Sequence, residues 1–325
     1  MNLTSKHNAT TLRAVAPYHH PVGINFKDAA YRAWVSLGGN TAPAHYPWRW
    51  LHHWAFRHEL PSIGTRRGEA RLRFMEPVSA LFDTFPDYAR HEVVPMVWDC
   101  WPRYQEPTAR WMELHDVRTA VFTACDTAEW MRQRLHGVDI LWCPEAVDAP
   151  LFDGGKALRE RTTDVLEFGR GSEGVVPLRL PGDVSHVRTK VDGHFIFNDE
   201  ELRAAMADAK VSIALPHSIT NPEFSGGLET LTQRYWECML ARMVMVGHAP
   251  RELVDFIGYN PVVEVPVDEN AGEAYTAKIL EILAHPDDYQ SLVDRNRDTA
   301  LRMGDWNVRI RHVMDWLEEL GYRVK

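Results

Sequence analysis

The chain has 325 residues, of which 45% are hydrophobic, enough for one large or two ordinary cores. No window approaches the ~18 uninterrupted apolar residues of a membrane span. The net charge is −9 and unevenly spread: residues 1–150 hold 16 basic against 16 acidic side chains, and residues 151–325 hold 20 against 29. The first half also carries nine of the twelve Trp and ten of the sixteen His, so two domains facing different partners are expected. The opening MNLTSKHNATT is polar and lacks the apolar core of a signal peptide, and the four cysteines (Cys100, Cys125, Cys143, Cys238) have no metal-ligand spacing. A cytoplasmic protein with reduced thiols is the expectation.

In chain order, Thr11–Tyr18 reads as a first strand, with His19 and His20 in the loop at its C-terminal end. Lys27–Leu37 reads as a helix stopped by Gly38-Gly39, and 77–82 as a short helix. Residues 45–75 resist assignment and are rich in aromatic residues and arginine. Val93–Trp98 is a buried strand ending at Asp99, Asp116–Thr123 is another, and Asp126 with Glu129 forms a capping box for a helix reaching Leu135. Val138–Cys143 is a further strand, followed by Pro144 and Asp148. Residues 149–163 read as a linker, and Asp164–Phe168 starts a second sheet with Gly169-Arg170-Gly171 behind it. The stretch to Phe197 is short for a full helix and strand, and Asn198 caps a helix to Lys210.

Residues 211–250, VSIALPHSITNPEFSGGLETLTQRYWECMLARMVMVGHAP, are the most informative. Val211–Leu215 is a strand, Pro216–Glu229 a polar loop, and Thr230 with Gln233 a capping box opening a helix that ends near Arg242. Met243–Val246 is the next strand. Such a unit presents its loop at the strand C-termini, where α/β folds bind ligands. The helix N-terminus is a seat for a diphosphate, and Glu237, about two turns in, is a carboxylate able to accept two vicinal hydroxyls. An ordinary amphipathic helix with a solvated Glu fits the same spacing. Beyond it, Pro250–Ile257, Ala271–Ala284, Asp287–Met303 and a last amphipathic segment from Trp306 to Leu317 read as helices, and Val262–Val267 as a strand.

The segment ETLTQRYWECMLARMVMVG resembles the donor-binding motif of glycosyltransferases with the two-domain GT-B fold, in particular the glycosyl-transferase-like domain of the CgeB-like spore-maturation proteins. The resemblance is specific over about residues 205–250 and looser over 90–320. It implies two Rossmann-like α/β domains with a donor cleft between them and a last helix crossing back to the first. The expected domains are 1–150 with 308–325 on the acceptor side, and 151–307 on the nucleotide-sugar side. These families hold a Glu–x7–Glu pair, matched here by Glu229 and Glu237, the second for the nucleotide ribose and the first for the donor sugar. This chain has Thr230 and Thr232 where family members often carry glycine, with Gly226 and Gly227 just upstream.

The implied activity is transfer of a sugar from a nucleoside-diphosphate donor, UDP-glucose or another UDP-sugar, to an acceptor hydroxyl. A nucleotide-sugar epimerase and a non-catalytic sugar-nucleotide-binding protein are the alternatives. No cofactor is implied beyond the donor substrate. No metal is expected, because no Asp-x-Asp stands in a setting like that of the other main glycosyltransferase fold. Arg234 and Arg170 are placed to reach the diphosphate, although Arg234 also has the i, i+3 spacing of an ion pair with Glu237 and Arg170 can simply belong to a turn. Thr230, Thr232, Gly227, His217 and Ser218 line the donor side. His19 and His20, after the first strand, sit where several inverting GT-B enzymes keep their base, and Asp99 is the rival.

Residues 45–75 hold six arginines (49, 57, 66, 67, 71, 73) against Glu59 and Glu69, interleaved with Trp48, Trp50 and Trp54. Arginine takes phosphates bidentately and indole stacks on bases or sugar faces, so Trp48, Trp50, Arg66 and Arg67 are candidate acceptor ligands. The acceptor would then be a hydroxylated base in DNA or a phosphorylated glycan. Tryptophans in the core with a solvated arginine rim are the alternative.

Overall fold

The computed structural model of the chain describes residues 10–17, 27–44, 54, 57–59, 68–77, 84, 86–169, 172, 174–191 and 194–325. The chain forms two compact units, Met1–Glu145 with Trp306–Lys325, and Ala146–Asp305. Both are parallel α/β sheets with helices, so the fold class read from the sequence is the one observed. The divisions fall at 145/146 and 305/306, against the expected 150/151 and 307/308.

In the first unit, strands β1 (Thr10–Val15), β2 (Thr41–Ala42), β3 (Glu69–Met75), β4 (Glu92–Val97), β5 (Thr119–Phe122), β6 (Asp139–Trp142) and β14 (Tyr322–Arg323), numbered in chain order, form one sheet. Its order is β14-β1-β3-β4-β5-β6, with β2 also on β1, and every pairing is parallel. Val93, Val97, Ala120 and Phe122 face the helices Pro102–Leu114 and Cys125–Arg134. The last helix, Trp306–Glu319, packs on Lys27–Ser36, with the Trp306 ring tilted by 55° against Trp98, centroids 5.7 Å apart. It therefore crosses back to the first unit, and the chain then adds β14 beside β1, a strand the sequence reading lacks. Its two residues show no alternation to read, yet Tyr322 is buried with its hydroxyl on Glu92 and Thr119.

One local expectation fails here. The helix Cys125–Arg134 begins before Asp126, its N-cap is Ala124, and no side chain caps it. The neighbouring Thr127 hydroxyl is held instead by the Cys100 carbonyl (2.9 Å), so the chain turns into helix directly after β5. The helix expected over 77–82 lies almost wholly outside the described residues.

The second unit has strands β7 (Thr163–Glu167), β8 (His186–Arg188), β11 (Ala209–Ala214), β12 (Val244–Gly247) and β13 (Val263–Glu264), in the order β13-β12-β11-β7-β8, all parallel. A small antiparallel pair, β9 (Lys190–Val191) and β10 (His194–Phe195), follows β8. Alternate strand residues serve opposite faces, as a sheet covered on both sides requires. Leu166 and Met245 join the layer containing helices Asp199–Asp208 and Gln233–Leu240, while Val165, Val211, Ile213, Val244 and Val246 meet Ala271–Ala284. Where residues 149–163 read as a plain linker, the chain makes a short helix, Ala149–Phe152, and a 3-10 turn, Leu158–Glu160. The unit is closed where it begins and ends: the Val147 and Ala149 amides donate to the Gly304 carbonyl and the Asp305 carboxylate, both at 2.9 Å. No described helix is long and apolar enough to cross a membrane.

Candidate functional site

The strand order of the second unit reverses between β7 and β11, since the chain passes from β7 outward to β8 and then returns to the other side of β7. In open α/β sheets, ligands bind beyond the strand C-termini at such a reversal. The residues there are Phe168 and Gly169 after β7, and Leu215, Pro216 and His217 after β11. The helix Gln233–Leu240 delivers its first turn to the same place.

Arg234 shows this directly. A Cβ added to Gly169, whose φ is +76°, would stand 2.4 Å from the Arg234 guanidinium. The guanidinium also lies 5.4 Å from the Phe168 ring centroid, a cation–π contact. Gly169 is thus required twice, for its left-handed backbone and for the space its missing side chain leaves. Arg234 forms no hydrogen bond or ion pair with a described residue, and it does not pair with Glu237. The i, i+3 ion pair left open by the sequence is absent.

Glu237 lies one turn further along the same helix. Its carboxylate has no hydrogen-bond or ion-pair partner among the described residues, although protein atoms surround most of it. Burial pushes its pKa up to about 7, partly offset by the Arg234 charge and reinforced by Asp199. An acid held this way, with oxygens still open to the surface, suits a ligand that brings its own hydroxyl donors.

Glu229 is placed differently. Its Oε1 is 2.7 Å from His248 Nε2, and its Oε2 accepts the Arg251 amide at 3.1 Å. His248 Nδ1 is 2.9 Å from Glu264 Oε2, and the other Glu264 oxygen accepts the Ala249 amide (2.8 Å) and the Asn260 side chain (2.9 Å). Burial disfavours a charged His248 ring, but the hydrogen bonds and charges of Glu264 and Glu229 prevail and raise its pKa. Sequence reasoning had no signal for His248 or Glu264, which reach Glu229 only through the packing of β12 and β13.

The expected capping box is also corrected. The helix starts at Gln233 with Thr232 as N-cap and no side-chain cap, while Thr230 is buried with its hydroxyl directed at the Leu231 carbonyl. Leu231 is fully buried and its amide points at Glu252, which holds 230–231 in extended chain and delays the helix. Among the described residues, no side chain accepts a hydrogen bond from the first amides of the helix. His217 and Ser218 lie in a short helix, His217–Thr220, after β11, with the His217 ring against Phe224. Gly226 and Gly227 both have positive φ and form the turn into Leu228.

Asp99 stands just past β4, half-buried, with φ +50°, a conformation Asp tolerates better than most residues. The C-terminal edge of a parallel sheet is where α/β sites collect, and the backbone aims Asp99 from that edge. His19, His20, Trp48, Trp50, Arg66, Arg67 and Arg170 lie outside the described residues. Of the six arginines in 45–75, two do not belong to a surface patch. Arg73 is buried on β3 and paired with Asp87 at 2.9 Å, and Arg71 meets Glu69 and His91. Trp54 is half exposed.

No family model matches the sequence, and no curated protein matches it. Solved structures do. A sucrose-phosphate synthase of Thermosynechococcus elongatus superposes with a TM-score of 0.60 over 96% of this chain and 99% of that one, at 10% identity. The T4 phage β-glucosyltransferase gives 0.54 over 96% and 99%, at 10% identity. The HepE protein of Anabaena, in complex with UDP and glucose, gives 0.51 over 95% and 100%, at 9% identity. The fold is therefore that of the GT-B glycosyltransferases.

Proposed function

We propose that the protein is a glycosyltransferase that moves a sugar from a nucleoside-diphosphate donor, a UDP-sugar, to an acceptor hydroxyl. One observation carries the reading: Arg234 and Glu237, one turn apart on a helix at the sheet reversal, have no hydrogen-bond or ion-pair partner among the described residues. A diphosphate on the uncapped helix N-terminus beside Arg234, with the ribose hydroxyls on Glu237, satisfies both. Solved structures of the same fold hold such ligands, UDP-glucose in a T4 phage enzyme and UDP with glucose in HepE.

In an inverting transfer the acceptor oxygen bonds to the anomeric carbon while the bond from that carbon to the diphosphate breaks. The diphosphate leaves with the electron pair, and its growing charge meets the helix amides and Arg234, without a metal. The acceptor proton goes to a base, for which Asp99, His19 and His20 are the candidates. The stretch around Trp48, Trp50, Arg66 and Arg67 is proposed to bind the acceptor, a hydroxylated base in DNA or a phosphorylated glycan.

The test is acceptor-dependent release of UDP from UDP-glucose, offered with hydroxymethylated DNA and with phosphorylated glycans. Release of UDP with matching label on the acceptor supports transfer. Conversion of the UDP-sugar to its epimer without acceptor would replace it with the epimerase.

A further inference from the structure

Resting on that reading of the donor site, we propose that His248 is a positioning residue whose doubly protonated ring clasps Glu229 and Glu264 and so fixes the helix that presents Arg234 and Glu237 to the nucleotide. Glu229, the first of the two motif glutamates, then acts on the donor site through this clasp.

An ionised carboxylate only accepts, and a neutral imidazole has one N–H. His248 places Nε2 2.7 Å from Glu229 and Nδ1 2.9 Å from Glu264, so both contacts are favourable only when both nitrogens carry protons. The ring is sited to stay charged. Glu229 faces it from the loop before the 233–240 helix and Glu264 from β13, whereas Arg251, on the helix Arg251–Ile257, turns its side chain to Asp255. Glu252 of that helix points at the Leu231 amide, and β11 offers only the uncharged Ala214 carbonyl, which accepts the His248 amide at 3.0 Å.

The clasp reaches the ligand site through two connections. Glu229 lies four residues before Gln233, so holding its carboxylate fixes the entry to the helix. Tyr235, fully buried and next to Arg234, donates its hydroxyl to the His248 carbonyl at 2.7 Å. The chain entering the helix and the helix's first turn are therefore both tied to residue 248. Each Glu229 oxygen already has a protein partner, His248 on one and the Arg251 amide on the other, so the protein itself fixes the carboxylate's orientation.

The consequence is a two-sided pH dependence of nucleotide binding. Glu237 takes ribose hydroxyls best as a carboxylate, so affinity rises as pH passes about 7. At higher pH, loss of the His248 proton sets a nitrogen lone pair against one carboxylate and loosens the helix entry, so affinity falls again. The two limbs belong to different residues and can be removed separately.

The experiment is titration calorimetry of UDP, with GDP, ADP and dTDP alongside, into the full chain from pH 6 to pH 9.5, paired with NMR of the histidine rings. For the wild type we expect His248 to carry protons on both nitrogens at neutral pH, and UDP affinity to fall about tenfold as that signal titrates. In Glu229→Gln the amide can donate to a neutral ring, so the alkaline limb should flatten while UDP still binds at neutral pH. His248→Ala should bind about tenfold more weakly at pH 7.5 with no alkaline limb. A neutral His248 at pH 7, an alkaline limb that persists in Glu229→Gln, or unchanged affinity in folded His248→Ala each overturns the clasp. Absence of binding by any of the four nucleotides to the wild type overturns the donor-site reading itself, and the clasp with it.

Discussion

Glu237 shows how one side chain can serve binding at the expense of stability. Its folded pKa of about 7 exceeds the ordinary 4.5, so the free fold favours the neutral acid. The stability this group contributes is fully present below about pH 4.5 and is lost as pH rises through about 7. Glu237→Gln should therefore stabilise the free protein at pH 8 by roughly 1–2 kcal/mol after allowance for partial exposure, seen as a higher melting temperature, and change little at pH 5. The same variant, and Glu237→Ala, should weaken nucleotide binding by roughly 1.5–3 kcal/mol, the scale of charged hydrogen bonds. Calorimetry with UDP on the folded variants checks the second effect and thermal melts at the two pH values check the first; equal stability at pH 8 would mean the carboxylate is not strained. At this scale helical spacing puts Arg234 and Glu237 one turn apart beside a strand end, but the same spacing fits an ordinary amphipathic helix, and only the family resemblance pointed to a donor role for them. The sequence was silent on His248, whose partners lie sixteen and nineteen residues away in sequence and meet it only in the folded sheet.

Two glycines decide how the strand ends hold the site. At Gly247, closing β12 with φ +153°, a Cβ would fall 2.0 Å from the Ala214 carbonyl oxygen, a backbone atom that cannot step aside. Gly247→Ala should cost at least about 3 kcal/mol, read as a drop in the denaturation midpoint. At Gly169 the obstructing atom is the far end of Arg234, which can move. Gly169→Ala should therefore fold with a smaller loss, about 1 kcal/mol from its positive φ, but weaken diphosphate binding by displacing the guanidinium. UDP affinity compared with uridine affinity separates the two, since only UDP should suffer. Element types were legible wherever apolar runs and capping chemistry agreed, as at Asn198, which caps Asp199–Asp208 with both halves of a capping box. They misled where packing overrode a local pattern: Thr230 and Gln233 have capping-box spacing, yet Leu231 is drawn into the core and the helix starts later. β8 is three residues long and carries no run of apolar residues, so nothing in the sequence marked it.

The whole molecule is built so that residues 306–325 complete the first unit. Trp306, Ile310, Val313, Met314, Leu317, Tyr322 and Val324 are all buried there. A chain ending at Asp305 should melt in two steps, the first unit lost at a lower temperature and the second retaining UDP binding; a single unchanged transition would contradict this. The crossing helix was readable from its apolar spacing together with the family resemblance. The acceptor region was not, because composition cannot separate a surface arginine from one committed inward, as Arg73 is to Asp87. If residues 45–67 take a polyanionic acceptor, the double variant Arg66→Glu/Arg67→Glu should lose acceptor binding, steeply so with added salt, and keep UDP binding. Activity should also survive EDTA, and restoration specifically by Mn²⁺ would contradict a metal-free diphosphate site.

The second unit is proposed to hold a nucleoside diphosphate between Arg234 and Glu237. Thermal melts of the wild type and of Glu237→Ala against a panel of nucleotide sugars test it most directly. At least one sugar nucleotide, a UDP-sugar, should raise the wild-type melting temperature and shift the folded variant much less at the same concentration. A panel with no effect on the wild type, or an equal shift in Glu237→Ala, would contradict it.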